Sequence, residues 1–476
     1  MASRSNGEND VSEDFKDLNL KDTLSKLGYF DSIENVRKRD EILKEMNSHV
    51  KEWLLEESSS YSKSSLHSVE KFVYPFGSYA LGFIEEDSNM DLICMAPENI
   101  PITTFFSSFS LKLQQLRDVT SMRKIPKTLI PVLLLTYKGV KLNLVYANVN
   151  IRDLSRAESL QSSDIYYKLD EPSMLNVHSY QVANDIYASI ARKEEFGIAL
   201  RAIKLWAKGK KIYYAKYGFL GGVSWTILLV YINQLYPSSD ASTLVAKFFE
   251  TFHNWPWPKP VTIKASIPVP RRFLTYNWST VNRIARSQIM PILTPTSPRR
   301  NCAYNVSKSS LKIIMSELRN GNLITKRILK GQDDWLSLVK ADPFFTAFKY
   351  FLLLRATAAK SVEQDFAGLI SGSIHFFLKY LSELTHVDKI RVLPDSFNSE
   401  LGNNEMIWII GIESSDEYQT KRLGFSSAIC KFKDQIVERA EESNIPKSKI
   451  MFDIEGVEYD NLKSTLPKDI YHKILS

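Results

Sequence analysis

Cysteine is scarce in this 476-residue chain. The three present, Cys94, Cys302 and Cys430, are widely separated, which excludes a disulfide framework and a clustered zinc site and fits a reducing, intracellular setting. Histidine is nearly as sparse. The seven are scattered with no pair at metal-ligand spacing, so His178 is expected to be a satisfied structural histidine. No apolar run approaches the roughly 18 residues of a membrane span, and the N-terminus, polar and acidic through Asp14, does not resemble a secretory signal. The richest apolar stretch, 226–235, carries Asn233 and Gln234 and reads as a buried helix. There is no internal repeat.

What is present points to a large globular chain. Hydrophobic residues make up 44% and aromatics 12%, enough for a sizeable core in two to four domains. A net charge of +7 is mildly basic; it permits a nucleic-acid partner without identifying one. Residues 1–20 lack apolar periodicity and read as a disordered tail, and 33–55 carry the spacing of an amphipathic helix. Short β-rich runs follow at 71–76, 90–95, 130–137 and 140–146, with a helical segment near 105–116. From about 164 to 335 the pattern is mainly helical, clearest at 198–206, 224–235 and 307–318. After residue 342 an apolar helix pair is expected, then a strand at 406–412, a helix at 428–440 and a strand at 449–454.

The most informative segments are Phe76-Gly77-Ser78-Tyr79-Ala80-Leu81-Gly82, Ser88-Asn89-Met90-Asp91-Leu92 and Lys138-Gly139-Val140-Lys141-Leu142-Asn143-Leu144. Gly-Ser, a loop of about ten residues, an Asp-x-Asp strand and a third Asp on a neighbouring strand is the pattern of the DNA polymerase β-like nucleotidyltransferases. Here only Asp91 of the three carboxylates stands, with Asn89 and Asn143 at the other two positions. Within that superfamily the chain most resembles the eukaryotic poly(A) polymerases, through residues 200–207, 218–225, 255–258 and 290–295, with the likeness running over roughly 25–470.

That resemblance implies an α+β multidomain fold. It comprises a nucleotidyltransferase α/β domain at 21–163, its first helix packing on the next domain, a helical central domain at 164–336, and an RRM-like, ferredoxin-like RNA-binding domain at 337–476. No aromatic RNA-binding signature is legible in the last of these, so that name rests on the resemblance. It also implies a nucleotide site in which Gly77 and Ser78 donate to the triphosphate, Lys204 and Lys208 bring charge to its phosphates, Tyr213 offers a hydroxyl or ring, and Gly222, Val223 and Thr294 wall the base. From pattern alone Lys204 would merely reach solvent and Tyr213 pack, while Trp206 and Trp225 read as core. ATP with Mg²⁺ or Mn²⁺, RNA, an active poly(A) polymerase or 3′-end processing complex as partner, and a nuclear location all follow from the family alone. The chain ends at Ser476 without the long Ser/Thr-rich basic tail of many animal members.

The asparagines set the functional expectation. Two-metal phosphoryl transfer needs carboxylates to hold two Mg²⁺ ions, and a neutral amide oxygen is a poor ligand for so hard a cation. Nor can Asn143 accept the proton of a primer hydroxyl. Asp91 is left as a weak metal ligand. Glu85, Glu86 and Asp87, which precede Ser88, are expected to form a solvated acidic loop that rescues nothing. Against the family, Leu129 replaces a base-stacking Phe, Leu134 a primer-side Lys, and His178 and Ala215 two Asn residues; departures over four segments suit a changed role better than a local edit. A local basic excess, Arg299, Arg300, Lys308, Lys312, Arg319, Lys326, Arg327 and Lys330 with Glu317 its only acid, is either a solvated helix face or an RNA-phosphate contact. The leading expectation is a poly(A) polymerase-like pseudoenzyme binding RNA, nucleotide or protein. The alternatives are an active template-independent adenylyltransferase and a protein scaffold without nucleotide binding.

Overall fold

The computed structural model describes residues 19–58, 66–85, 88–126, 128, 130–265, 271–279, 283–341, 344–394, 396–398, 405–414, 424–468 and 470–471. The tail expected at 1–20 therefore falls almost wholly outside the described residues, as do Glu86, Asp87 and Leu129.

The first body is a five-stranded sheet with spatial order β1-β2-β5-β4-β3. The strands are β1 (Val73–Phe76), β2 (Met90–Ala96), β3 (Val119–Ile125), β4 (Val132–Tyr137) and β5 (Val140–Asn148). Interior strand β2 is antiparallel to β1 and parallel to the central β5, and β5 meets β4 through a two-residue turn. Lys138 and Gly139 both take positive φ there, 50° and 78°, the turn geometry whose twist matches a right-handed hairpin. Edge strand β3 was not legible because it is half exposed and carries no clean alternation. The long helix Ile33–Glu57, capped by the Ser32 side chain, lays Ile42, Met46, Val50 and Trp53 on the sheet. These residues recur every three to four positions, one helix face.

The helices Lys193–Gly209, Gly222–Leu235, Ala241–Phe252 and Lys308–Ile328 build a second body around Trp206 and Trp225, both fully buried and edge-on at 5.6 Å. The short helix Leu20–Lys26 packs here through Leu20 and Leu24. Gly321 lets two of these helices touch: a Cβ there would lie 2.4 Å from the Phe249 ring.

In the third body the order is strand, helix, strand, strand, helix, strand. β6 (Tyr350–Ala358), β7 (Val387–Val392), β9 (Met406–Ser414) and β10 (Ile450–Glu458) form an antiparallel sheet, order β10-β6-β9-β7, with the short β8 (Phe397–Asn398) paired to β9. The expected apolar helix pair after residue 342 is therefore corrected. Its first half is β6, followed by the helix Glu363–Ser382. The error has a physical cause: β6 is covered on both faces, so its sequence is one continuous apolar run without alternation. Leu352, Leu354 and Ala356 face the helices Glu363–Ser382 and Ser426–Glu442. Phe351 and Leu353 meet a separate layer of Phe344, Phe345, Phe348, Leu462, Leu466 and Ile470. The helix-side core runs on into the second body, and Arg391 of β7 pairs with buried Glu317 at 3.3 Å.

Substituting Gly321→Ala should destabilise the protein by about 1–3 kcal/mol through overpacking, because the Phe249 ring is itself wedged edge-on against Trp206 at 4.8 Å. The expected outcome is a lower thermal midpoint with unchanged far-ultraviolet circular dichroism.

Candidate functional site

Parallel pairing of β2 with β5 sets Asp91 directly beside Asn143, and antiparallel pairing with β1 sets Phe76 on the other side of Asp91. Strand β1 ends there because Gly77 turns the chain with φ +64° into the short helix Gly77–Ala80. A Cβ on Gly77 would lie 2.6 Å from Asp91 Oδ2, so glycine is required twice, for the left-handed backbone and for the approach of main chain to carboxylate. Asn143 Nδ2 donates to Asp91 Oδ1 at 2.7 Å, and Asn89 Nδ2 faces Asn143 Oδ1 at 3.5 Å. The three positions expected to converge do so, as a relay of two amides ending on one carboxylate. Burial raises the Asp91 carboxyl above its ordinary value, and the Asn143 hydrogen bond partly offsets this.

This donor set does not fit a protein-held pair of divalent cations. Asp91 is the one carboxylate in the relay, one of its oxygens already accepts from an amide, and no group of three His, Cys, Asp or Glu suited to a metal occurs among the described residues. Leu134 stands opposite Asn143 on β4, partly exposed, and offers neither charge nor hydrogen bond.

Beside the relay opens a cleft of about 530 Å³. Gly77, Ser78 and Asp91 of the first body and Lys204, Tyr213, Gly222, Val223, Thr294 and Arg300 line it, so the sequence-expected nucleotide residues come together except Lys208. Lys204, on the helix Lys193–Gly209, is buried, and burial lowers its ammonium to about 8 against the opposing pull of Glu85. Lys208 pairs with Glu85, and its Nζ also lies 5.3 Å from the Tyr213 ring centre. The Tyr213 hydroxyl is pushed well above its ordinary range by burial and by Glu85, and it reaches its place because Gly222 has no side chain: a Cβ there would sit 2.8 Å from it. Gly222 also opens a 14-residue helix with no side-chain cap, leaving backbone donors at the cleft wall. Thr294 Oγ1 accepts from the Arg300 amide at 2.9 Å.

One expectation needs revising. Glu85 does not belong to a solvated loop; its side chain is 12% exposed and ion-paired. Its sequence signal, one acid among three, gave no hint of direction. His178 is structural, with Nε2 3.3 Å from the Thr296 carbonyl and its pKa lowered to about 4 by burial and Arg300, yet it also lines the cleft. The basic stretch is for the most part exposed along or just after one helix, as one of its two expected readings had it. Arg300 faces the cleft, whereas Arg299 donates to the Lys264 carbonyl, Lys312 stands 3.9 Å from Asp388, and Arg327 pairs with Asp333 at 2.8 Å. Lys308, Arg319 and Lys326 lie along the 21-residue helix Lys308–Ile328, and Lys330 follows it. Cys302 and Tyr304 join the cleft wall without having been singled out.

Residues 9–190 match the family model of the poly(A) polymerase nucleotidyltransferase domain, and residues 195–341 match that of the poly(A) polymerase central domain. The chain is 31% identical over 397 residues to a poly(A) polymerase of Dictyostelium discoideum, covering 82% of this chain and 48% of that protein. It is 30% identical over 347 residues to nuclear poly(A) polymerase 4 of Arabidopsis thaliana, covering 72% and 47%. The chain thus spans about half the length of the curated relatives it matches. Among solved structures, a cytoplasmic RNA terminal U-transferase aligns with a TM-score of 0.44 and 15% identity over 68% of this chain and 98% of that one.

The buried Lys204 yields a pH signature. Its folded pKa of about 8 lies below the unfolded value, so the unfolded chain binds the extra proton between the two. Charged Lys204 therefore costs stability below pH 8, and the cost is relieved as pH rises toward 10.5. Lys204→Met should raise stability at pH 7 by about 2–4 kcal/mol, and thermal melts across this range should show the advantage shrinking above pH 8.

Proposed function

Because the chain belongs to the poly(A) polymerase family, we propose that it keeps the family's scaffold for RNA and nucleotide but transfers nucleotides very slowly or not at all. One observation carries this reading: the Asn89–Asn143–Asp91 relay offers one carboxylate where the family's chemistry calls for three, and its amide protons point at the oxygens a cation would use. Two metal ions bring four positive charges. A single half-buried Asp91, already raised in pKa, does not balance them. With Asn143 in place of a carboxylate, that position itself offers no base to a primer 3′-hydroxyl.

What remains suits binding. Lys204, Arg300 and the uncapped helix start at Gly222 give the cleft positive character, and Val223 and Tyr213 give it a wall for a base. ATP is the nucleotide the family points to, and the metal it carries into solution would arrive with it. The third body's strand and helix order and its β10-β6-β9-β7 sheet support reading it as RRM-like. The sheet face opposite its helices is covered by Phe344, Phe345 and Phe348, and a Cβ on Gly411 would meet the Phe348 ring at 2.5 Å. RNA contact by base stacking on that face is therefore disfavoured, and phosphate contacts from Arg300, Lys308 and Lys326 are the better candidates. The named nuclear relatives in Arabidopsis thaliana support a nuclear role in RNA 3′-end processing, with an active polymerase as a natural partner.

The test is extension of an oligo(A) primer with ATP and Mg²⁺ or Mn²⁺, comparing the native chain with Asn89→Asp/Asn143→Asp. The native chain should extend the primer at least about 10²–10³-fold more slowly than the doubly restored variant, the scale of losing one preorganised electrostatic contact. The variant alone should gain thermal stability on addition of Mn²⁺. Comparable extension by the native chain would overturn the reading.

A further inference from the structure

Beside the cleft a carboxylate stands against Lys208, one turn along the helix from the cleft-lining Lys204. The Glu85 backbone is pinned from both directions by Ser88, whose Oγ accepts from the Glu85 amide at 3.1 Å and whose amide donates to the Glu85 carbonyl at 2.9 Å. Ser88 is in turn fixed by Arg39, whose Nη1 donates to its carbonyl at 2.8 Å. So anchored, the Glu85 side chain turns inward, pairs with Lys208 and projects its charge onto Lys204, Arg201 and Tyr213. The cleft itself is lined in part by apolar side chains, Leu81, Phe83, Val182, Ile186 and Leu200.

We propose that Glu85 is a specificity-determining residue that occupies the phosphate subsite as an internal anion, so that the cleft disfavours polyphosphates and prefers a nucleoside or nucleoside monophosphate. The inference rests on the reading of this cleft as a nucleotide site. To use Lys208, a triphosphate must break the Glu85–Lys208 pair and then share the site with the displaced carboxylate, a like-charge approach in a partly desolvated pocket. A base and ribose against Val223 and Tyr213 meet no such opposition. A pair that served stability alone would leave this discrimination untouched, because it would affect every ligand equally.

The experiment measures binding of ATP, AMP and adenosine to the full chain by isothermal titration calorimetry with metal chelated. ATP should bind the native chain no more tightly than adenosine. Glu85→Gln should tighten ATP about tenfold, the scale of one charge-assisted contact, while shifting adenosine by less than about twofold. Lys208→Gln should change ATP affinity little in the native background and abolish the gain in the Glu85→Gln background. This cycle separates phosphate recognition from a general effect on folding. The proposal is overturned if Glu85→Gln shifts ATP and adenosine alike, leaves ATP unchanged, or if Lys208→Gln alone weakens ATP tenfold. If adenosine binds and only the charge pattern fails, the nucleotide-site reading survives. If no ligand binds either the native chain or Glu85→Gln, both fall.

Discussion

Buried charge has to be matched by charge, and the cleft is organised around that requirement. Arg201, Lys204 and Lys208 occupy one face of a single helix at three- and four-residue spacing, which stacks three cations in partly or fully desolvated surroundings. Burial pulls Arg201 and Lys204 below their ordinary values. Glu85 acts on both in the opposite sense, and Asp31 assists at Arg201. The loop between the first sheet's β1 and β2 is thereby tied to the helix of the second body, so the electrostatic match also sets how the two bodies meet.

Much of this was legible in the sequence because close main-chain contact leaves a glycine. Gly77 and Gly222 mark positions where a carboxylate and a phenol respectively come within 3 Å of where a Cβ would be, and the family resemblance had already pointed to both. Asn89, Asp91 and Asn143 were readable through the family pattern, and the parallel pairing that brings Asp91 to Asn143 gives that pattern its physical basis. Glu85 was not. Whether an acidic residue on a loop points to water or to a helix of the next body depends on long-range geometry, and the local pattern of three acids favours water. The basic stretch left two readings open for the same reason: spacing along the chain says nothing of Asp333 or Asp388, which pair with Arg327 and approach Lys312 respectively.

The third body shows a different limit. Period-two alternation identifies a strand only when one face is wet, and β6 is dry on both. Its second cover comes from the segment around Phe344–Ala347 and from Leu462, Leu466 and Ile470. Arg355 of β6 fastens that cover at the edge, reaching Glu405 at 2.9 Å, Glu455 at 3.1 Å and the Thr465 carbonyl at 2.6 Å. An apolar layer stitched down in this way makes the sheet a structural partition. The helix-side core, continuous with the second body, makes it a rigid extension of the cleft wall.

The relay and the ion pair describe one redistribution of charge. At the strand ends, where cations would be held, two of three side chains are neutral amides. At the helix, where phosphates would be held, a carboxylate sits against Lys208. Each change alone weakens one half of the attraction between a metal-bound triphosphate and its site. Together they work in the same direction, because the metal loses its anions and the phosphates gain one. A chain shaped for turnover would place its negative charge at the strands and leave the lysines free. Here the negative charge stands against the lysines, the arrangement of a cleft that holds a base more readily than a polyphosphate.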